Sequence, residues 1–427
     1  MKKPEIETTF GCFYKGWNLA NLPDYVFFQE GPGLRTSQFT DSGMKVINVK
    51  NILLDGTIDI SNSDRHISLE EFEKKYQHFA IETDDIVVSS SGWSYGKVGR
   101  IQQSDLPLMM NTSVIRFHPL WKELLDADYL YNFLRSSFFT NQVESFIIGC
   151  QQPNFGPAHI KRMLIPLPPL PTQQKIASIL TAYDDLIENN TRRIKILEEM
   201  ARSHYHEWFV KFRFPGYEQV QMVDSELGLI PEGWEVRTLS DVCNIIMGQS
   251  PKSEFYNESG EGLPFHQGVT NFGNRFPIDK KYCTVFNRVA ERGDILFSVR
   301  APVGRINLAN KKIVIGRGLS AIRSKSGKQE FIFEQLKEKF QEEDSIGGGT
   351  IFKSVTKEDM YGIKIIYPDS TLVSKFELFV KPFFRNVEIL TVKNTNLRKT
   401  RDLLLPKLIS GEIDVEKLEI ETEKIAA

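Results

Sequence analysis

Long apolar runs are missing from this sequence. No stretch of about 18 apolar residues is present, which argues against a helical membrane span. The opening MKKPEIETTF turns acidic where a signal peptide would be apolar, so we expect a cytoplasmic protein. The four cysteines, Cys12, Cys150, Cys243 and Cys283, stand far apart without a CxxC pair, which argues against a disulfide framework and a zinc site. We interpret them as buried free thiols.

Motifs of catalysis are also scarce. The glycine pairs at Gly31 to Gly33 and Gly316 to Gly318 lack the strand-to-helix context of a nucleotide-binding loop. The Asn-Pro-Pro-aromatic motif of adenine methyltransferases is absent, and QQPNFGP at Gln151 has similar letters in a different order. His204 and His206 lie two apart, not at the i, i+4 spacing of a metal pair, and His204 fits a helical seam better. The sequence therefore predicts neither a catalytic nor a metal site.

The net charge of −2 gives no overall basic character, so a nucleic-acid surface would need a local concentration of basic residues. No acid lies between Asp294 and Glu330. The basic residues of that segment are Arg300, Arg305, Lys311, Lys312, Arg317, Arg323, Lys325 and Lys328. Segment 86–122 carries Lys97, Arg100, Arg116 and Lys122 against Asp105 alone. We interpret the two as matching basic segments in otherwise acidic halves.

An internal repeat relates the two halves at an offset of about 200 residues. ETDDIVVSSSGWSYGKVGRI, ending at Ile101, matches ERGDILFSVRAPVGRI, ending at Ile306. NTSVIR, ending at Arg116, matches GLSAIR, ending at Arg323. The first pair predicts a strand, a Ser/Gly/Pro loop and a second strand in each copy. The repeat therefore predicts two equivalent domains of mixed helices and strands.

Two long helical seams follow the two domains. Apolar residues alternate four and three apart over 176–208 and again over 376–408, which predicts a coiled coil in place of two ordinary amphipathic helices. Pro382 removes one backbone hydrogen bond, so the second helix should kink or effectively begin there. Each seam holds one asparagine, Asn190 and Asn394. If the helices pack antiparallel with these two amides opposite each other, the two apolar seams face each other along their whole length.

Candidate DNA contacts come from the polar loops, because Lys and Arg bind phosphates whereas Asn, Gln, Arg, Ser and Thr can bind base edges. In the first half they are Asn48, Lys50, Ser90, Ser91, Lys97, Arg100, Asn111, Gln152 and Asn154. In the second half they are Gln267, Thr270, Asn271, Arg300, Arg305, Arg317 and Lys353. Any one of them could instead be a solvated loop residue, and the two Gly-Arg steps could be structural turns.

Three segments closely resemble the DNA-specificity subunits of type I restriction-modification enzymes. The segment from PLPPLPTQQKIASILTAYDDLIENN to FRFPG, ending at Gly216, resembles their central conserved region. IPEGWEV at Ile230 resembles the start of their second target-recognition domain, and RDLLLPKLISGEI at Arg401 resembles their C-terminal conserved region. Together with the repeat, the resemblance covers nearly the whole chain.

The resemblance implies an α+β fold of two target-recognition domains, 1–168 and 215–369, separated by two long helices in 169–214 and 370–427 that form an antiparallel coiled coil. Each domain would read one half of a bipartite site, and the helices would set the spacer and dock two methyltransferase subunits. Restriction and translocase subunits complete the implied complex, so S-adenosylmethionine, ATP and Mg would belong to the partners. Two alternatives remain: a methyltransferase or nuclease-methyltransferase enzyme that carries the same recognition domains, and a purely structural coiled-coil scaffold.

Overall fold

The computed structural model describes residues 5–61, 63, 65–147, 153–345, 354–416 and 418, without the side chains of 5 and 341–345. Residue contacts divide the chain into two units: unit 1 is Met1–Asn190 with Lys393–Ala427, and unit 2 is Thr191–Val392. Each unit therefore contains one copy of the sequence repeat and parts of both long helices.

Unit 1 contains a first set of short strands and helices. Its strands are β1 (Glu5–Thr8), β2 (Gly11–Tyr14), β3 (Asn18–Asn21), β4 (Val26–Glu30), β5 (Met44–Ile47), β6 (His66–Ile67), β7 (Ile86–Ser89), β8 (Val98–Arg100), β9 (Leu108–Met110), β10 (Val114–Pro119) and β11 (Leu164–Leu167). Its helices are α1 (Leu69–Glu71), α2 (Ala127–Leu134), α3 (Ser137–Ile147), α4 (Pro157–Ile160) and the first part of α5 (Leu170–Tyr205).

Unit 2 repeats this plan. Its strands are β12 (Met222–Ser225), β13 (Gly228–Pro231), β14 (Glu235–Thr238), β15 (Cys243–Met247), β16 (Tyr256–Asn257), β17 (Leu263–His266), β18 (Tyr282–Cys283), β19 (Val289–Ala290), β20 (Ile295–Ser298), β21 (Ile306–Leu308), β22 (Ile313–Ile315), β23 (Leu319–Ser324) and β24 (Lys364–Tyr367). Its helices are α6 (Leu239–Val242), α7 (Gln329–Ser345), α8 (Lys357–Tyr361) and the first part of α9 (Ser370–Ile409).

The central sheets of the two units have the same topology. Unit 1 has the antiparallel order β4-β10-β7-β8, and unit 2 has the antiparallel order β15-β23-β20-β21. Each unit also has a parallel pair next to this sheet, β5 with β9 and β17 with β22. The sequence repeat is therefore a structural repeat, and the predicted mixture of strands and helices is confirmed.

One inner strand of each sheet, β7 in unit 1 and β20 in unit 2, is buried on both faces, which explains its unbroken apolar run. In β7, Ile86 and Val88 belong to one buried cluster and Val87 to another. In β20, Phe297 faces the larger cluster of its unit whereas Leu296 faces a smaller one. Because neighbouring side chains point to opposite faces, both strands lie between two apolar layers.

The two long helices run for 36 and 40 residues, so each is longer than an ordinary globular helix. In unit 1, Ile176 and Leu180 of α5 share a buried cluster with Leu405 and Leu408 of α9. The start of one helix therefore contacts the end of the other. Together with the asparagine pair described below, this contact requires that the two helices pack antiparallel. Helix α9 is continuous from its first residue through Pro382. Of the two predicted outcomes, a helix that effectively begins at the proline was therefore wrong, because the backbone hydrogen bonds on both sides maintain the helix, whereas a kink there stays a prediction.

Two cysteines fit the sequence prediction and one does not. Cys12, Cys243 and Cys283 are free thiols, but Cys12 is exposed in strand β2, so its predicted burial was wrong. Burial raises the pKa of Cys243 to about 12, which keeps this thiol protonated and unreactive. Cys150 lies outside the described residues.

His204 lies in the helical seam, as its spacing indicated. Its ring is stacked on Phe376 at a centroid distance of 5.7 Å and contacts Trp208 at 4.4 Å. His206 instead approaches Glu338, with 3.1 Å between Nδ1 and Oε1. The two histidines therefore have separate roles within unit 2, one in packing and one in a hydrogen bond.

Candidate nucleic-acid interfaces

In unit 1, the loops that carry the predicted sites meet at one end of the central sheet. The backbone N–H of Asn111 donates to the carbonyl of Ile47 at 3.1 Å, which joins the loop before β10 to the loop that starts at Asn48. The backbone N–H of Ser90 donates to the carbonyl of Ser113 at 2.9 Å. The residues at the ends of β5 and β7 and at the start of β10 therefore lie on one surface, which we call the loop surface.

A fourth loop of unit 1 joins the same surface. The carbonyl of Ser90 accepts from the N–H of Phe155 at 3.0 Å, and Ser91 forms a β-bridge with Asn154. Ser90 itself is fully buried, and its Oγ has no hydrogen-bond partner among the described residues. Ser90 therefore lies beneath the surface, whereas the exposed Asn154 and half-buried Ser91 lie on it.

Unit 2 builds the same network from equivalent residues. The N–H of Gly316 donates to His266, the residue before Gln267, at 2.8 Å, as Asn111 donates to Ile47. The N–H of Val299 donates to the carbonyl of Gly318 at 3.0 Å, as Ser90 donates to Ser113. Equivalent hydrogen bonds in both copies mean that the repeat preserves the arrangement of the loops as well as the strands.

The last connection is also repeated. The carbonyl of Val299 accepts from Val355 at 2.9 Å, and Arg300 forms a β-bridge with Ser354. Glycines make this close packing possible: a Cβ added to Gly31 would lie 2.1 Å from the Asn111 carbonyl oxygen, and one added to Gly248 would lie 2.1 Å from that of Gly316. Both positions exclude any side chain.

Two predicted amides in unit 1 have fixed orientations. The Oδ1 of Asn48 accepts from the N–H of Lys50 at 3.0 Å, and the Oδ1 of Asn111 accepts from the N–H of Ser113 at 3.0 Å. Their amide nitrogens donate no hydrogen bond within the described part of the chain. Each side chain therefore offers an oriented N–H donor, the group that pairs with acceptors on base edges.

In unit 2 the side chain of Ser250 connects the Gln267 side chain to the backbone of Arg317. The Oγ of Ser250 donates to Oε1 of Gln267 at 2.8 Å and accepts from the backbone N–H of Arg317 at 3.2 Å. Thr270 and Asn271 follow in the 3-10 turn Val269–Asn271, and Thr270 is exposed. Gln267 and Arg317, about 50 residues apart, therefore occupy one edge of this surface.

Arg100 has an internal role. Its Nη1 lies 2.5 Å from Oδ1 of Asp128, and its guanidinium lies over the ring of Tyr131 at 5.0 Å. Strand pairing sets Arg100 opposite Ile86, at the start of β7, whereas Ser90 follows the end of that strand. Arg100 is therefore held away from the loops, in a stabilising contact with helix α2.

The acid-free segment of unit 2 is not acid-free in space. Arg323 makes two hydrogen bonds to Asp294, at 2.6 and 2.8 Å, and these raise the pKa of Arg323. Lys311 lies 2.7 Å from Asp279. Acids before this segment in the chain therefore neutralise part of its charge, although the segment itself contains none.

The remaining arginines of that segment lie on the loop surface. Arg300, Arg305 and Arg317 are exposed, and Arg300 and Arg317 form no ion pair within the residues that the structure describes. In unit 1, Lys50 is exposed and Lys97 is half-buried. The predicted sites Gln152 and Lys353 lie outside the described residues.

Trp93 was not among the contacts predicted from the sequence. Its side chain is 87% exposed, in the loop between β7 and β8. The polar pattern of the loops gave no reason to include it, because an aromatic residue between strands is more often part of a core. The signal that could have found it is its neighbourhood, because Trp93 is flanked by serines and glycines with no apolar residue beside it.

The paired asparagines occupy the middle of the helical seam. Nδ2 of Asn190 donates to Oδ1 of Asn394 at 2.9 Å, and Nδ2 of Asn394 donates to the carbonyl of Ile187 at 3.2 Å. Asn394 is only 3% exposed. This is the pairing that the heptad pattern predicts. Within unit 1, the apolar contacts between the same two helices that are described above continue the seam.

Replacing either asparagine with leucine should lower the free energy of unfolding by about 1–3 kcal/mol, because the other amide stays buried without its partner. Replacing Asn190 and Asn394 together should recover most of that loss. Urea unfolding followed by helical circular dichroism measures both effects, with the exposed Asn189→Ala as the control. Simple additivity of the two single effects would contradict a direct interaction.

Comparison with known proteins identifies the family. The family model described as the type I restriction modification DNA specificity domain matches residues 14–199 and 231–396, once in each repeat. The chain belongs to this family. The two matches coincide with the two copies of the loop network, so the family's repeated domain is the structural repeat seen here.

Relatives that match nearly the whole chain are named as specificity subunits of type I restriction enzymes. The provisionally named type I restriction enzyme MjaX specificity subunit of Methanocaldococcus jannaschii is 32% identical over 96% of both chains. The MjaIX specificity subunit of the same organism is 26% identical over 96% of this chain and 97% of its own length. The type I restriction-modification S subunit of M. genitalium has a similar fold, with a TM-score of 0.57, 18% identity and coverage of 96% and 98% of the two chains.

Two kinds of site are absent from the described residues. They contain no group of three or more His, Cys, Asp or Glu side chains that could hold a metal ion. No helix among them combines the length and apolar character of a membrane span.

Proposed function

We propose that this chain is the DNA-reading subunit of a type I restriction-modification complex, with recognition domains in 1–168 and 215–369 that each bind one half of a bipartite site. The observation that carries the proposal is the loop network that is built twice from equivalent hydrogen bonds. Loops mounted on a rigid sheet are suited to base recognition, because their polar groups keep fixed positions.

The proposed contacts are the predicted residues that lie on the two loop surfaces. In the first domain they are Asn48, Lys50, Ser91, Lys97, Asn111 and Asn154, and in the second they are Gln267, Thr270, Asn271, Arg300, Arg305 and Arg317. Amides and hydroxyls would bind base edges, and the cations would bind phosphates. The complex would act in the cytoplasm.

The long helices have a separate proposed role. They would set the spacer between the half-sites and dock two methyltransferase subunits, to which restriction and translocase subunits add for cleavage. The supporting observation is that both helices carry exposed apolar side chains, which include Ile196, Met200, Leu378 and Leu403. S-adenosylmethionine, ATP and Mg would be bound by those partners.

A charge variant tests the proposed surface of the second domain. Changing Arg300 and Arg317 to alanine should weaken binding to duplex DNA and flatten the plot of log affinity against log salt by about two units, since each phosphate contact contributes about 0.9. Anisotropy titrations of the complex assembled with its methyltransferase subunits, at several salt concentrations, measure both quantities.

Arg292 provides the control for this variant. It precedes β20, at the end of the sheet opposite to Arg300, and pairs with Glu388 at 2.6 Å on the surface. Arg292→Ala should leave the salt dependence unchanged. An equal effect of both variants would mean that net charge, and not the loop surface, determines binding.

A further inference from the structure

A hydrogen-bonded turn exposes the side chain of Trp93 to solvent. The Oγ of Ser89 donates to the carbonyl of Ser94 at 2.6 Å and accepts from the N–H of Lys97 at 2.9 Å, so one hydroxyl joins both sides of the loop. Gly92 and Gly96 have φ values of 72° and 79°, which favour glycine and shape the turn. The 87% exposed ring therefore results from the loop's construction.

The turn belongs to the loop surface of the first domain. The N–H of Gly92 donates to the carbonyl of Pro153 at 2.9 Å, next to the bridge between Ser91 and Asn154. Trp93 thus immediately follows a residue of that surface. Among the described residues of unit 1, Leu54 is comparably exposed at 91%, but it lies in the turn between Leu53 and Thr57 and not beside the bridge of Ser91 and Asn154.

The second domain has the same anchor but a different loop. Oγ of Ser298 donates to the carbonyl of Pro302 at 2.7 Å and accepts from the N–H of Arg305 at 2.8 Å. This loop carries the exposed Ala301 and Pro302 between two arginines. Lys97 and Arg305 occupy equivalent positions at this anchor, and the loop of the first domain adds an exposed indole where that of the second has Ala301 and Pro302.

We propose that Trp93 is a specificity-determining residue that packs its indole against the bases of the first half-site, at a step that the bound DNA opens or bends. The inference rests on the proposed function. An uncharged aromatic face gains little from phosphates but stacks on bases, and apolar wedges at deformable steps are an established means of reading DNA shape. The domain would then read sequence through polar donors and deformability together.

The test uses the full-length chain assembled with its methyltransferase subunits and a duplex whose target is defined by mapping modified adenines. Trp93→Ala should weaken target binding about ten- to a hundredfold, as removal of a stacking residue does, with an unchanged salt slope. Trp93→Phe should keep most of the affinity. Equal thermal unfolding of all variants is expected, since the side chain has few contacts in the folded protein.

Trp121 is the matched control. It is 55% exposed and lies beyond Pro119, at the end of β10 opposite to Asn111, so Trp121→Ala should leave binding unchanged. A second readout places 2-aminopurine in either half-site: the fluorescence increase on binding should be lost with Trp93→Ala in the first half and kept in the second.

The outcomes separate the inference from the function on which it rests. If the unchanged complex fails to distinguish its target from a random duplex, both are overturned. If the unchanged complex discriminates and Trp93→Ala binds equally well, only the role of Trp93 is overturned. Loss of subunit assembly by Trp93→Ala, with normal DNA affinity of the complex that remains, would assign the indole to a protein partner instead.

Discussion

Exchanging residues 215–369 for the corresponding segment of another family member will change one half of the DNA target and leave the other half intact. Each loop network is completed by hydrogen bonds within its own unit, so the exchanged segment brings its own loops and sheet. Each mismatched base pair costs about 1–3 kcal/mol, so binding to the original site should fall about a thousandfold or more, to the non-specific level.

Mapping modified adenines in DNA from cells that express the exchanged complex measures the new target directly. The reciprocal exchange of residues 1–168 is the matched control and should change the other half. Simultaneous changes in both halves would mean that the domains do not read independently. Loss of modification without loss of binding would instead indicate a defect in subunit docking.

Local pattern predicts much of the fold. Short β-type apolar runs and the turn residues after them predicted β7 and β20, because strand geometry depends on neighbouring residues. Heptad spacing predicted α5 and α9, and the single amide in each seam predicted the contact between Asn190 and Asn394. A shift in the register of the helices would leave each buried amide without its partner, which costs free energy. The seam therefore has few alternative registers.

The rest depended on contacts between distant parts of the chain. Asp279 neutralises Lys311 although 32 residues separate them, so counting charges along a segment could not reveal the pair. Arg100 likewise faces Asp128 through the pairing of β7 with β8 and the position of α2. Exposure of Trp93 follows from a turn anchored by Ser89, which requires knowledge of the folded loop.

Replacing Asp184 with asparagine should produce a large loss of stability in unit 1. Its Oδ2 lies 2.7 Å from Nη1 of Arg135, and its Oδ1 accepts from Arg401. Both arginine side chains are only 13% exposed. The Asp184→Asn variant leaves two largely buried guanidinium groups without this shared counter-charge.

The expected decrease in the free energy of unfolding is about 2 kcal/mol. Removing one partner of a fully buried pair costs about 3–5 kcal/mol, and the 29% exposure of Asp184 reduces that value through solvent screening. Arg135 also lies over the Tyr131 ring at 4.8 Å, so part of its stabilisation remains. Urea unfolding at low and high salt measures the change, and high salt should reduce it only slightly.

Asp185 is a control that differs by one position on the same helix. It is exposed and forms no ion pair in the part of the chain that the structure describes. Partial burial and the neighbouring carboxylates of Glu188 and Asp184 raise the pKa of Asp185, so Asp185→Asn should be neutral or slightly stabilising. If both asparagine variants unfold at the same urea concentration, the contacts of Asp184 with Arg135 and Arg401 do not stabilise the unit. A loss confined to Asp184→Asn would instead show that this carboxylate holds helix α2 and both long helices together at the base of the first domain.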